Sequence, residues 1–216
     1  MRNYSRADKL LIEVDQALRT VHGRQHSRRP NPSATSKTEG ESADTLPASA
    51  RRLSRRLLRV DHAGEVAAQG LYQGQALTAR DVQVREQMRH SAAEENDHLA
   101  WCHERILELG GRRSVFGPCW YLGSYALGAA AGLAGDRWSL GFVSETEHQV
   151  VRHLEDHLRR LSAGDHRSHA ILAQMKVDEG QHAEIATRAG GQELPGAFKQ
   201  AMTLVSKVMT RTAYWL

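Results

Sequence analysis

The sequence predicts an all-α protein built on a four-helix bundle, and three observations carry that prediction. Apolar residues recur at steps of three and four through four long stretches between residues 53 and 189. The composition is 40% hydrophobic but only 6% aromatic, with many Ala and Leu, which suits helices. The pattern Glu-x-x-His stands at Glu95–His98 and at Glu179–His182, and single glutamates, Glu65 and Glu147, precede these motifs by 30 and 32 residues.

One Glu-x-x-His match means little, because random placement in a chain of this composition supplies roughly one. A third match, Glu145–His148, is present, and helical phase sorts the three. Met88, Ser91, Glu95, His98, Cys102, Ile106 and Leu109 make one inward stripe, with Glu94 and Asp97 off it. Leu172, Met175, Glu179, His182 and Ala186 keep one phase, as do Leu58, Asp61, Glu65, Ala68 and Tyr72. Glu147 is in register with Val143, Val150, Leu154, Leu158 and Leu161, whereas Glu145 and His148 fall on the opposite, solvated face.

Phase matters because of its energetics. An unpaired carboxylate in a core costs several kcal/mol even after relaxation. Four inward Glu and two inward His form a tolerable core only with cations among them, and a pair of divalent metal ions meets that need. Either motif alone reads as a surface pair; the phased sextet does not. Four helices contributing Glu, Glu-x-x-His, Glu and Glu-x-x-His are the ligand set of a ferritin-like two-metal bundle. Carboxylate oxygens with two imidazoles suit iron or manganese.

Taken in order, residues 1–22 hold a short amphipathic helix, with Ser5 as its cap and Asp8 in its first turn. Residues 23–50, rich in Ser, Thr, Pro and Gly, read as a flexible linker, and residues 51–216 form the ferritin-like domain. The first bundle helix spans about Leu53–Ala79. Asp81 caps the second, and Gly110-Gly111 ends it near Leu109. The 22 positions 114–135 carry no charge, and Pro118 starts a helix there. That helix is the crossover between two hairpins. Ser124, Gly128 and Gly132 form a small-residue row that permits close helix approach. Its outer face could meet a membrane interface, be wholly buried or span. The third helix runs from about Trp138 to Leu161 and the fourth from the Gly164-Asp165 turn to about Ala189, before a final amphipathic helix.

The net charge is +4, with the basic excess concentrated at Arg51, Arg52, Arg55, Arg56 and Arg59. No DNA- or RNA-binding motif accompanies it, so no nucleic-acid partner is expected. Cys102 and Cys119 make neither a disulfide framework nor a Cys-x-x-Cys motif, and a reducing compartment is the default. The first residues lack an apolar signal segment, so export is not expected.

The stretches Arg59-Val-Asp-His-Ala-Gly-Glu65-Val, Glu94-Glu-Asn-Asp-His98-Leu, Ser144-Glu-Thr-Glu147-His and Asp178-Glu-Gly-Gln-His182-Ala resemble the demethoxyubiquinone hydroxylases. The resemblance covers about residues 53–216. It implies that Glu65, Glu95, His98, Glu147, Glu179 and His182 bind two iron ions. It implies an O2-dependent hydroxylation of the ring of a polyprenylated demethoxy-benzoquinone or quinol in ubiquinone biosynthesis. The implied setting is peripheral, at the cytoplasmic face of the cell membrane, with an external reductant such as NADH and accessory ubiquinone-biosynthesis proteins as partners. His153, six residues after Glu147, is a candidate supporting partner behind the ligands. The alternative from the ligand set alone is a ferritin-type protein that oxidises or stores iron.

Overall fold

Four long helices carry the architecture, and the computed structural model describes residues 5–23, 25–34 and 46–216. Among these lie α1 (Arg6–His22), a 3-10 turn (Pro32–Ala34), α2 (Ala48–Thr78), α3 (Val82–Glu108), α4 (Gly117–Ala134), α5 (Asp136–Arg160), α6 (His166–Arg188) and α7 (Gly196–Trp215). The pairs α2/α3 and α5/α6 are the two hairpins of an all-α, ferritin-like bundle. The crossover α4 lies along α2, with α1 and α7 beside it.

The local signals act where the sequence put them. Ser5 and Asp8 close a capping box on α1. Asp81 accepts from the Gln83 backbone at 2.7 Å to start α3. Asp165 accepts from the Ser168 backbone at 3.1 Å to start α6. Asp165 also receives Nη2–H of the buried Arg105 at 2.7 Å, and Arg105 Nε donates to Ser168 Oγ at 3.1 Å. A buried guanidinium is tolerable because these partners satisfy it, and it ties the end of α3 to the start of α6. Gly110 and Gly190 sit at φ 68° and 94°, just past the ends of α3 and α6. That left-handed conformation favours glycine and stops both helices.

Two boundaries differ from the sequence expectation. The helix α2 begins at Ala48, five residues before Leu53. Its first turn, Ala48-Ser49-Ala50-Arg51, holds mostly strong helix formers but no apolar stripe, so periodicity cannot detect it. The expected linker 23–50 lies outside the described residues at 24 and 35–45. Where it is described it is docked on the bundle. Asn31 Nδ2 donates to Glu104 Oε2 at 2.8 Å, Ser33 is buried, and Leu46 joins the main apolar cluster.

The helices α2 and α4 touch backbone to backbone. A Cβ at Gly70 or Gly74 would run into the carbonyls of Tyr121 and Tyr125, and one at Gly128 into that of Leu71. The outer face of α4 leaves Leu122, Leu127 and Leu133 exposed. No helix among the described residues is long and apolar enough to cross a membrane.

Inside the four-helix bundle two of the buried apolar clusters act as plugs. Leu57, Leu58, Trp101, Ile106, Leu154, Ile171, Leu172 and Met175 fill one end of the bundle. Tyr72, Ala76, Met88, Leu140, Val143 and Ala186 fill the other. On each bundle helix the motif residues fall between the two plugs, so a polar layer is sealed at mid-height.

Candidate metal centre

Every residue of the sextet points into that layer. Glu65, Glu95, His98, Glu147, Glu179 and His182 are each at most 4% exposed. His98 Nδ1 lies 3.0 Å from Glu95 Oε2, 3.0 Å from Glu179 Oε1 and 3.6 Å from Glu65 Oε2. His182 Nδ1 lies 3.2 Å from Glu179 Oε2 and 3.3 Å from Glu95 Oε1. Glu95 and Glu179 therefore face both imidazoles, whereas Glu65 faces the His98 side. Glu147 interacts with Glu179, Glu95 and His182 and receives the Tyr72 hydroxyl at 2.6 Å. Glu65, Glu95, His98 and Glu179 offer donor atoms all within 4.8 Å of one another. The arrangement is two half-sites sharing two carboxylates.

The electrostatics call for positive charge. Burial, then the charge of Glu95, pushes the Glu65 carboxyl well above the usual range. Burial, then Glu179, does the same to Glu147. Burial opposes charge on His182, yet Glu179 and Glu95 push it up to about 12. His98 is likewise raised against its burial, chiefly by Glu95 and Asp178. Burial opposes charge on Glu95 too, but His98 first and His182 next hold it well below the usual carboxylate range. Glu65 and Glu147 hold their protons and both imidazoles stay cationic, while Glu95 is ionised against them, so buried negative charge is met by positive charge.

The residues fit a pair of metal ions. Glu95 Oε1 and Glu179 Oε1 are buried with no hydrogen-bond partner, although imidazole nitrogens stand beside them. Two shared carboxylates with uncommitted inner oxygens, two imidazoles and two further carboxylates suit hard or borderline divalent ions.

A second set of groups orients the rings. His98 Nε2 donates to Asp178 Oδ2 at 2.9 Å, and His182 Nε2 donates to Glu94 Oε2 at 2.8 Å. A carboxylate only accepts, so each holds a proton on Nε2, and Nδ1 is the nitrogen left facing inward, where a metal ion would take the place of its proton. Asp178 is in turn gripped by Arg29 Nη1 at 2.9 Å and Gln174 Nε2 at 2.9 Å. Arg29 Nε also donates to Asp97 Oδ2 at 2.8 Å, and its guanidinium lies 4.9 Å over the Trp101 ring.

The third Glu-x-x-His points away from the bundle axis, but only His148 is solvated as expected; the Glu145 side chain is mostly covered, beside Arg152 at 3.5 Å and Lys199 of α7 at 3.6 Å. The structure places His153 elsewhere than behind the sextet. Its Nε2 faces Asp61 Oδ1 at 3.7 Å and its ring lies 3.9 Å from that of His157. Asp61, unlike Glu65, Glu95 and Glu179, makes no ion pair with the two motif imidazoles among the described residues. Sequence reasoning passed over Glu94, Asp178, Tyr72 and Arg29. One signal for the first two was present: in both motifs the residue before the inward Glu is also acidic.

Fold and cluster together define a ferritin-like helical bundle with a buried, carboxylate-rich centre. Residues 52–213 match the family of the ubiquinone biosynthesis protein COQ7. The chain is 55% identical over 215 residues to a 3-demethoxyubiquinol 3-hydroxylase of Nitrosococcus oceani, covering 100% of this chain and 99% of that protein. It is 54% identical to the enzyme of the same name from Alcanivorax borkumensis, covering 99% and 98%. The corresponding protein of Dechloromonas aromatica is 53% identical over 96% of this chain and 98% of its own length. The chain belongs to the COQ7 family of ubiquinone biosynthesis proteins, and the iron-storage alternative is not favoured.

Proposed function

We propose that this chain is an O2-dependent di-iron hydroxylase that adds a hydroxyl group to the ring of a polyprenylated demethoxyubiquinol. The observation that carries the reading is the contact of Glu95 and Glu179 with both His98 and His182 in a sealed core. Its relatives are named for that reaction.

Glu65, Glu95, His98, Glu147, Glu179 and His182 would hold two iron ions, with Glu95 and Glu179 shared. Reduced iron would supply electrons to O2, so that a ring C–H, O2, two electrons and two protons give a ring C–OH and water. The chain's own groups do the rest. Asp178 and Glu94 hold the imidazole tautomers. The Tyr72 hydroxyl fixes one Glu147 oxygen by donating to it. The two apolar plugs keep bulk water from the layer. No Gly-x-Gly-x-x-Gly stretch supports a resident dinucleotide. Electrons come from an external reductant such as NADH or from a partner protein.

The exposed leucines of α4 and the exposed Leu204, Val205 and Val208 of α7 suit a peripheral membrane contact through which an isoprenoid tail arrives. The cytoplasmic face of the cell membrane and accessory ubiquinone-biosynthesis proteins complete the proposed setting.

The test is hydroxylation of a demethoxyquinol by purified protein with iron, a reductant and O2. The wild-type chain turns over, and the Glu179→Ala and His182→Ala chains do not. Full activity in either variant would remove the assigned site.

A further inference from the structure

One turn from the sextet, the bundle holds a second polar group that the proposed chemistry does not use. Asp61 lies four residues before Glu65 on α2, which puts it on the same face, about 6 Å along the helix. His153 and His157, themselves one turn apart on α5, meet it from across the bundle. Early positions of α2 thus face late positions of α5. Asp61 and His157 are 4% and 2% exposed.

Asp61 Oδ1 stands 2.8 Å from His157 Nδ1 and 3.7 Å from His153 Nε2. The closer pair is at hydrogen-bond distance but out of hydrogen-bond alignment. As a result Asp61 Oδ1, Asp61 Oδ2, His157 Nδ1 and His153 Nε2 are all buried and without a hydrogen-bond partner. Four orphaned polar atoms in one spot are costly when nothing satisfies them. A common ligand removes that cost. One carboxylate oxygen and two ring nitrogens lie within 4.8 Å of one another. Donors bound about 2.1 Å from one ion, at angles of 90–110°, stand roughly 3.0–3.4 Å apart. The two observed separations bracket that range.

The geometry points to a third metal site in this chain: Asp61, His153 and His157 bind one divalent first-row transition ion that braces α2 against α5. Two imidazoles and one carboxylate match zinc or ferrous iron, with a further position left for water. Access is through His153, whose side chain is 31% exposed. Burial first, and His157 next, pull the His153 imidazole down to about 4, so its ring is neutral at physiological pH and its lone pair is free to coordinate. The braced helices are the two that carry Glu65 and Glu147. Cys102 is close enough to Asp61 to feel its charge, and its thiol meets Met175 Sδ at 3.6 Å. Among the described residues the group holds a single carboxylate, so it takes one ion, not a pair.

Equilibrium dialysis of the full chain against Co2+, with metal analysis and thermal melts, tests it. Wild-type protein should bind about three ions per chain, and His153→Ala or Asp61→Asn about two. His153→Ala alters a partly exposed side chain and Asp61→Asn is isosteric, so helicity by circular dichroism should be unchanged in at least one. The Glu179→Ala chain, impaired in the proposed iron site, should still gain melting temperature on adding Co2+. The further change His157→Ala should abolish that gain. A wild-type chain that neither variant lowers in metal content, or a Glu179→Ala chain whose Co2+ response survives His157→Ala, would overturn the third site. Either result leaves the two-iron reading standing. Loss of ions only in Glu179→Ala would count against the third site in the same way.

Discussion

Asp178 and His98 meet across two helices, with Nε2 donating to Oδ2 at 2.9 Å, and Glu94 meets His182 in mirror fashion at 2.8 Å. The acid that precedes the Glu of one motif serves the imidazole of the other motif. Each half of the centre is thus oriented by the opposite hairpin.

The Asp178→Asn and Glu94→Gln substitutions keep shape but remove the charged acceptor that sets the tautomer. Both chains should fold, and each should hold iron roughly 10–100-fold more weakly. Iron retained during titration with a chelator measures this. Unchanged retention in both would mean the outer carboxylates do not orient the rings. The Asp178 effect should be partly reproduced by Arg29→Ala, since Arg29 Nη1 lies 2.9 Å from Asp178.

Tyr72→Phe leaves the Glu147 carboxylate buried without its hydroxyl donor. The loss of this buried donor should destabilise the protein by about 1–3 kcal/mol. Two ions per chain should still bind while hydroxylation falls. Denaturant unfolding and single-turnover assays separate the two effects, and a Tyr72→Phe chain that matches wild type in both would deny the tyrosine any part.

The metal-free protein should lose stability as pH rises. His182 has its pKa raised from 6.5 to about 12, so its contribution is fully present below pH 6.5 and declines through that window. Glu65 and Glu147, also raised, act in the same direction: their buried carboxyls are stable while protonated and cost stability once ionised. Glu95, held low, adds stability that is lost only in acid. Added divalent metal competes with these protons and should reverse the trend above neutrality. Melting temperature against pH, with and without Fe2+ under anaerobic conditions, checks the sign. A metal-free chain that gains stability between pH 7 and 9 contradicts it.

Vesicle association should run through the exposed leucines of α4. Leu127→Glu replaces about 1.5–3 kcal/mol of apolar burial with a charge, so partitioning should fall about tenfold or more. Alkali but not moderate salt should release the bound wild-type protein. Release by salt alone would assign the attachment to Arg51–Arg59 instead.

Much of this was legible in the sequence because it is local. Steps of three and four residues turn Glu65, Glu95, His98, Glu147, Glu179 and His182 inward whatever their neighbours do. The caps at Ser5, Asp81 and Asp165 and the stops at Gly110 and Gly190 depend only on nearby backbone. The start of α2 was not legible, because Ala48–Arg52 form a helix by propensity with no buried stripe to mark it.

The sequence alone determined which side chains each helix turns toward the axis, since a helix's periodicity is a property of its own chain. Only the tertiary structure decided which of them meet. Glu94 and Asp178 lie off the inward stripes and reach opposite imidazoles because of how the hairpins are rotated and staggered. Arg29 arrives from outside any bundle helix, and His153 falls beside Asp61 because α5 runs against α2. Rotation and stagger between helices come from the packing of whole faces, including the glycine contact of α2 with α4, and no single segment encodes them.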